Sequence, residues 1–292
     1  MALNNGPSNL DLSVMSLNVR GLHEKAKRRS IFQFIKDKSI DIACLQETYC
    51  TQKDEKSFNY DWERKVFHCL SDSVHSRGVT ILIRKGLEYE VINVFKSNGG
   101  PKVMINIEIQ NEIITIVNLY APNLESEQKK FLHRSKSWIV EHSNTDYLLI
   151  VTGDFNCSEN KKHLVDFKNN LHIYDIWKKL NPTKAQNTWT DPSNLSHGSR
   201  IDYIFSTGYV CDKITKSCDI NPAPTPDHDA VVLKLSCSYK ERGKGYWKLN
   251  TSILKEEDYV KGVKKVIVVM VVELTIYSQQ DMFVIKSLNP VT

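Results

Sequence analysis

The stretch Tyr147-Leu148-Leu149-Ile150-Val151-Thr152-Gly153-Asp154-Phe155-Asn156 runs from continuous apolar residues into a glycine, then a carboxylate and an amide. An apolar run rich in β-branched residues and ended by a turn former predicts a buried strand. The polar groups just beyond its end are not explained by burial, and strand ends on a rigid scaffold are where functional side chains are usually built.

The same arrangement recurs on both sides of this stretch. Residues 12–19, 40–45, 79–83, 113–119, 201–205 and 230–235 are short, apolar and strand-like. Val103, Ile105, Ile107 and Ile109 alternate with more polar neighbours, predicting a strand with one buried face. Phe131, Leu132, Ser135, Trp138 and Ile139 repeat at helical spacing. Ile31, Phe32, Phe34 and Ile35 do likewise beside Lys25, Lys27, Arg28 and Arg29, which reads as a helix with a solvated basic face and not as an import signal or a DNA clamp. Strands outnumber helices and follow one another in runs. Two packed sheets flanked by helices fit this order better than a doubly wound parallel sheet.

The domain is expected over residues 11–239, after a leader at 1–10. Residues 240–248, rich in Lys, Arg and Gly, read as a linker, and the remainder to 292 as a truncated tail with an apolar run at 266–272. A formal charge of +5 over 292 residues permits a polyanionic partner without demanding one. The seven cysteines form no CxxC pair and no zinc-type array, so reduced, buried thiols in an intracellular protein are expected. With no apolar signal-peptide centre and no run long enough to span a bilayer, the chain is expected to be soluble and not secreted.

Several strand ends contribute polar groups: Asn18, Glu47, Tyr120, Asp154 with Asn156, Asp202, and the Asp227-His228-Asp229 triplet before the last strand. Singly, a strand-end Asp or Asn reads as a turn or cap residue, and a lone His as a satisfied one. Jointly they point elsewhere. Carboxylates and amides without thiolates suit a hard cation such as Mg²⁺ or Mn²⁺, and a histidine beside them can face a phosphate. Metal-assisted phosphoester hydrolysis is the chemistry this set predicts.

The series Ser16-Leu17-Asn18-Val19-Arg20-Gly21, Leu45-Gln46-Glu47-Thr48, Asn118-Leu119-Tyr120-Ala121-Pro122, Gly153-Asp154-Phe155-Asn156, Thr188-Trp189-Thr190, Arg200-Ile201-Asp202-Tyr203 and Asp227-His228 resembles, in order, the endonuclease/exonuclease/phosphatase superfamily. The resemblance covers roughly residues 11–238, and its wording is most similar to the endonuclease domains of LINE-type (non-LTR) retrotransposons. Residues 246–254 resemble the segment that follows that domain in such polyproteins. The resemblance implies a four-layer α/β sandwich, with two packed, mostly antiparallel β-sheets flanked by helices.

It also implies roles. Glu47 is the principal metal ligand, with Asn18 and Asp227 completing the shell. Asp154 orients or deprotonates the attacking water, and Asn156 holds that water or the phosphate. His228, oriented by Asp202, meets a phosphate oxygen, and Tyr120 donates to the phosphate or leaving oxygen. Trp189, Thr190 and Arg200 lie at the DNA edge, although a buried Trp and a strand-opening Arg also fit structural roles. The cofactor implied is Mg²⁺, with Mn²⁺ as its substitute, and the partner is DNA, met by a monomer in the nucleus with no membrane involved. Pro226 departs from the pattern, because a serine commonly precedes the Asp-His pair; the change removes a hydroxyl and stiffens the approach to His228.

The product expected is a nick with 3′-OH and 5′-phosphate ends. The alternatives are an abasic-site repair nuclease and a truncated, domesticated fragment that binds nucleic acid without cutting. Every expected acidic, amide and histidine position is occupied, which argues against decay. A lipid-directed enzyme is disfavoured because no basic amphipathic helix with large apolar residues is apparent.

Overall fold

The computed structural model describes residues 9–62, 65–70, 78–98, 101–110, 112–143 and 148–238. Along them run β1 (Asn9–Asn18), α1 (Lys25–Asp37), β2 (Ile42–Gln46), α2 (Glu55–Trp62), β3 (Val66–Cys69), β4 (Val79–Ile83), β5 (Glu90–Lys96), β6 (Lys102–Ile109), β7 (Glu112–Tyr120), α3 (Glu125–His142) and β8 (Leu149–Asp154). The chain continues through α4 (Lys162–Leu171), β9 (Ile173–Asp175), α5 (Ile176–Leu180), β10 (Trp189–Asp191), β11 (Asn194–Ser199), β12 (Asp202–Thr207), β13 (Thr215–Asn221) and β14 (Ala230–Ser238). It divides into two units, Met1–Lys240 and Glu241–Thr292. The expected linker and tail lie outside the described residues, as do residues 1–8 of the expected leader; β1 begins at Asn9, inside that leader.

The strands form two six-stranded sheets, ordered β13-β14-β1-β2-β4-β3 and β5-β6-β7-β8-β12-β9, with β10 and β11 as a separate hairpin. Each sheet has one parallel pair at its centre, β1 with β2 and β7 with β8, and the remaining neighbours are antiparallel. A parallel pair needs a crossover, and α1 and α3 supply it. The C-terminal tips of the two strands in each pair therefore point the same way.

The sheets pack face to face over Val14, Ile42, Ile81, Ile105, Ile116, Ile150, Ile204 and Leu233, none more than 1% exposed. Burying side chains of this size stabilises the fold by roughly 1.5–3 kcal/mol each. On the outer face of the first sheet, Ile31, Phe32 and Ile35 of α1 and Phe58 and Trp62 of α2 cover Met15, Leu17, Ala43 and Leu45. On the outer face of the second, Leu132 and Ile139 of α3 and Leu164 and Phe167 of α4 cover Val117, Leu119, Val151 and Phe205. Helices, sheet, sheet and helices make the four-layer α/β sandwich expected.

One polar cluster interrupts the apolar interior near the shared tips. Gln46 Nε2 donates to Asn118 Oδ1 at 2.7 Å, and Asn118 Nδ2 donates to the Leu45 and Thr80 carbonyls at 2.9 and 3.0 Å. These donors find acceptors and tie one sheet to the other, while Gln46 Oε1 is left buried without a partner among the described residues.

Two expectations are corrected here. Arg28 is not on a solvated face. It is 3% exposed, donates to Asp61 at 2.6 and 2.9 Å and to the Leu22 carbonyl at 3.0 Å, and lies over the Phe58 ring. The strand β6 is buried on both faces, because α3 covers the side that bears Met104 and Asn106; Asn106 is satisfied there by Thr115 and by the His142 carbonyl. The six described cysteines are free and buried, as the reduced-thiol reading anticipates.

Candidate active site

The shared strand tips bring together what the sequence keeps far apart. Asn18 ends β1 and lies opposite Gln46 at the end of β2, one residue before Glu47. Tyr120 ends β7 opposite Asp154 at the end of β8. The antiparallel strand β12 places Asp202 opposite Asp154. The other antiparallel neighbour, β14, pairs Val231 with Ser16, which sets the preceding Asp227 and His228 near the end of β1.

Local conformation sharpens the placement. Arg20, Glu47, Tyr49 and Asn156 all have left-handed φ values, of 46°, 49°, 53° and 51°. Non-glycine residues reach this region at a cost and concentrate at functional sites. Gly153 serves a different need: a Cβ there would stand 2.2 Å from the Leu119 carbonyl oxygen, so only glycine lets β8 approach β7 closely enough to seat Asp154.

Asn18 Nδ2 bridges Glu47 Oε1 at 3.0 Å and Asp154 Oδ2 at 2.9 Å, joining the two sheets at the site. The Tyr49 hydroxyl donates to Glu47 Oε2, and Tyr120 donates to the same carboxylate. Burial pushes Glu47 up, but hydrogen bonds from Tyr120, Tyr49 and Asn18 outweigh it and hold the carboxylate below its ordinary range. Asp154 is driven the other way, by burial and by the neighbouring Asp202, well above the usual carboxylate range. Its Oδ1 accepts from the Asn156 backbone N–H at 2.8 Å.

His228 Nδ1 meets Asp202 Oδ2 at 3.0 Å, with both side chains almost fully buried. Burial lowers the affinity of the ring for a proton; the charge and hydrogen bond of Asp202 reverse that and push it up to about 9. The protonated ring that this environment favours has Nε2 as its second donor. Asp227 Oδ2 accepts from Arg20 at 2.7 Å and from the Trp189 indole at 3.3 Å. Thr190 N–H donates to the Asp227 carbonyl, and Asp229 N–H to that of Thr188, so residues 188–190 are laced to the triplet that holds His228. The Thr225 hydroxyl donates to the His228 carbonyl, which fixes the approach that Pro226 leaves without its usual serine.

The site fits a hard divalent cation. Its donors are oxygens from Glu47, Asn18, Asp154, Asp202 and Asp227, and the buried oxygens Asp202 Oδ1 and Asp227 Oδ1 have no partner among the described residues. Asp154, Asp202 and His228 place ligand atoms within 4.8 Å of one another, although His228 Nδ1 is already hydrogen-bonded to Asp202.

The sequence profile described as the Endonuclease/Exonuclease/phosphatase family matches residues 15–220. The chain belongs to the endonuclease/exonuclease/phosphatase family. Among other proteins of similar sequence, a transposon TX1 149 kDa protein from Xenopus laevis is 26% identical over 87% of this chain. The chain spans only 20% of the length of that relative. An exodeoxyribonuclease from Streptococcus pneumoniae is 22% identical over 76% of this chain and 97% of its own. Among solved structures, the AP endonuclease LMAP from Leishmania major superposes with a TM-score of 0.61 at 16% identity, covering 78% of this chain and 88% of the other. The endonuclease domain of TRAS1, a telomere-specific non-LTR retrotransposon, gives 0.59 at 16%, covering 77% and 98%. These likenesses show the fold of the endonuclease/exonuclease/phosphatase family.

Within this family fold Arg200 does not stand at an open edge. Its guanidinium donates to Asp175 at 2.7 Å and to Glu159, and it packs over the Trp177 and Tyr203 rings at 5.0 and 4.6 Å, with a side chain only 10% exposed. These contacts favour the structural role also open to Arg200 over a DNA contact, because a phosphate could reach it only by breaking those ion pairs. Trp189 and Thr190 are half-buried beside Asp227. Arg20 and Tyr49 also join the site; the signal that marks them in the sequence is their place two residues after Asn18 and Glu47.

Proposed function

We propose that this chain is a Mg²⁺-dependent endonuclease, able to use Mn²⁺, that nicks double-stranded DNA by phosphodiester hydrolysis and leaves 3′-OH and 5′-phosphate ends. The observation that carries this reading is the convergence of Asn18, Glu47, Asp154, Asn156, Asp202, Asp227 and His228 from both sheets onto one end of the sandwich. Glu47, Asn18 and Asp227 would hold the cation, which when bound supplies positive charge against the scissile phosphate.

The remaining groups divide the work. His228, kept protonated by Asp202, donates from Nε2 to a phosphate oxygen. Asp154 in its ionised form receives the proton of the attacking water, its raised proton affinity making it the stronger base. Asn156 Nδ2 is anchored on the Ala121 carbonyl at 2.8 Å, which leaves its Oδ1 to accept from that water and keep it in line. Tyr120, a donor to Glu47 alongside Tyr49, is the group that passes to the leaving oxygen when substrate enters.

Substrate choice follows from the rim. The β10–β11 hairpin is rooted at the site by Trp189 and carries exposed Ser193, Asn194 and Leu195 at its far end, with Leu195 81% exposed. A projecting hairpin of this kind reads groove shape and deformable steps more than base edges. The names of the TX1 protein and the TRAS1 domain favour a retrotransposon endonuclease; a monomer acting in the nucleus is part of the same proposal. The name of the Leishmania major AP endonuclease favours abasic-site cleavage as the second reading.

The test is relaxation of supercoiled plasmid with Mg²⁺ and with EDTA, by the intact chain and by folded Glu47→Ala and Asp154→Ala proteins. Cation-dependent nicking lost in both variants supports the proposal, and end-labelling that found 3′-phosphate would contradict the mechanism. A strong preference for a duplex with one abasic site over intact DNA would move the reading to repair. No nicking by the folded intact chain would favour a binding module.

A further inference from the structure

We propose that Gln128 is a positioning residue for Asn156, setting the loop that aligns the attacking water; the inference rests on the reading of Asn156 given above. Gln128 lies on the inward stripe of α3 with Leu132, Ser135 and Ile139, and is 3% exposed. An amide at such a position is costly to desolvate unless each of its polar atoms is met.

Both ends of Gln128 are met, the amino end by the loop that carries Asn156. Nε2 donates to the Asn156 carbonyl at 2.7 Å and to the Asn123 carbonyl at 3.2 Å. Oε1 faces His163 Nε2 at 3.2 Å; because an amide oxygen only accepts, the histidine must donate there. Gln128 thus spans the segment before α3, the turn after β8 and the first turn of α4.

Asn156 needs such a restraint. It is held in the left-handed region at φ 51°, where a non-glycine residue persists only if its surroundings over-determine it. Three bonds do so: its N–H to Asp154 Oδ1, its Nδ2 to the Ala121 carbonyl, and its own carbonyl to Gln128. The first two orient the reacting groups themselves. The third is the only one of the three made from a helix; without it the Asn156 carbonyl loses its side-chain restraint, leaving Cys157, whose carbonyl accepts from the Tyr203 hydroxyl, as the hold on that side, and the Asn156 side chain can shift out of line. A misplacement of about 1 Å costs on the order of 10²-fold in rate.

The experiment compares Gln128→Glu, which keeps the shape but cannot donate when ionised, with Gln128→Leu, each checked for folding by circular dichroism and thermal midpoint. Plasmid nicking is expected to lose at least about tenfold in kcat with KM changed less than about twofold. Placed on an Asn156→Ala background, Gln128→Glu is expected to cause no further loss. A kcat within about threefold of the parent, a loss confined to KM, or full additivity with Asn156→Ala would overturn the proposal. The Asn156 backbone and side-chain amide resonances, followed by nitrogen-15 NMR without substrate, are expected to move in Gln128→Glu whether or not the parent nicks DNA. Unmoved resonances overturn the positioning role itself, whereas moved resonances with an inactive parent overturn only the nicking assignment. If both single variants fail to fold, Gln128→His, which retains a ring donor, is read by the same resonances.

Discussion

His228 Nδ1 and Asp202 Oδ2 lie 3.0 Å apart, with both side chains withdrawn from solvent, so the ring holds its proton and keeps one fixed orientation. Asp202→Asn is expected to lower kcat by roughly 10²-fold or more, a usual range for a misoriented proton-bearing group. His228→Gln should cost a similar factor, and the double variant no more than the worse single one, because the two residues act as a unit. Steady-state nicking by the three proteins checks this; additive losses would show that Asp202 acts elsewhere.

Gly153 is expected to tolerate no side chain. An added Cβ would stand 2.2 Å from the Leu119 carbonyl oxygen and 3.0 Å from its carbon, and both belong to backbone that cannot swing aside. Gly153→Ala should destabilise the fold by on the order of 3 kcal/mol or more, as overpacking against main chain does. Urea unfolding followed by fluorescence gives the value, and a change under about 0.5 kcal/mol would mean that β7 and β8 can separate without cost.

Arg200 is expected to matter for stability and not for DNA affinity. Arg200→Ala takes the guanidinium from the buried Asp175 while Glu159 keeps Lys178, and breaking a buried ion pair on one side costs about 3–5 kcal/mol. DNA binding by the folded fraction, measured by fluorescence anisotropy, should stay within about twofold of the parent. A selective loss of binding in a stable protein would restore the DNA-edge role.

Acid should weaken the fold through His68. Its Nδ1 lies 3.0 Å from Thr80 Oγ1, and burial pushes the ring down to about 4 from its ordinary 6.5. The unfolded chain therefore accepts a proton that the folded chain refuses. The stability due to this group is complete above about 6.5 and is lost as pH falls toward 4, amounting to on the order of 3 kcal/mol. Urea unfolding at about pH 7.5 and about pH 4.5 should show the difference, and His68→Gln should flatten it; an unaltered slope in the variant would assign the acid sensitivity to other groups.

The apolar runs were enough to place β1, β2, β4, β7, β8, β12 and β14, because a buried strand writes its burial into consecutive residues. β10 and β11 left no such mark: Trp189–Asp191 is half-buried, and Asn194–Ser199 is mostly exposed. The second face of β6 was also hidden, since Asn106 is polar in sequence and buried only because α3 supplies its hydrogen bonds. Arg28 and Arg200 show the same limit for cations, which read as surface residues until Asp61, Asp175 and Glu159, distant in sequence, are brought against them.

By itself the sequence determined the layered fold and pointed to polar residues at several strand ends, because strand ends, glycine turns and chemically distinctive polar residues are local properties. Only the tertiary structure decided how those residues act on one another. Pairing β1 with β2, and β7 with β8, in parallel puts four strand tips at one end, and packing the sheets lets Asn18 bridge Glu47 and Asp154. Proton affinity, ion pairing and the support of Asn156 by Gln128 depend on distances across the fold, which fall off over a few ångströms and have no counterpart in spacing along the chain.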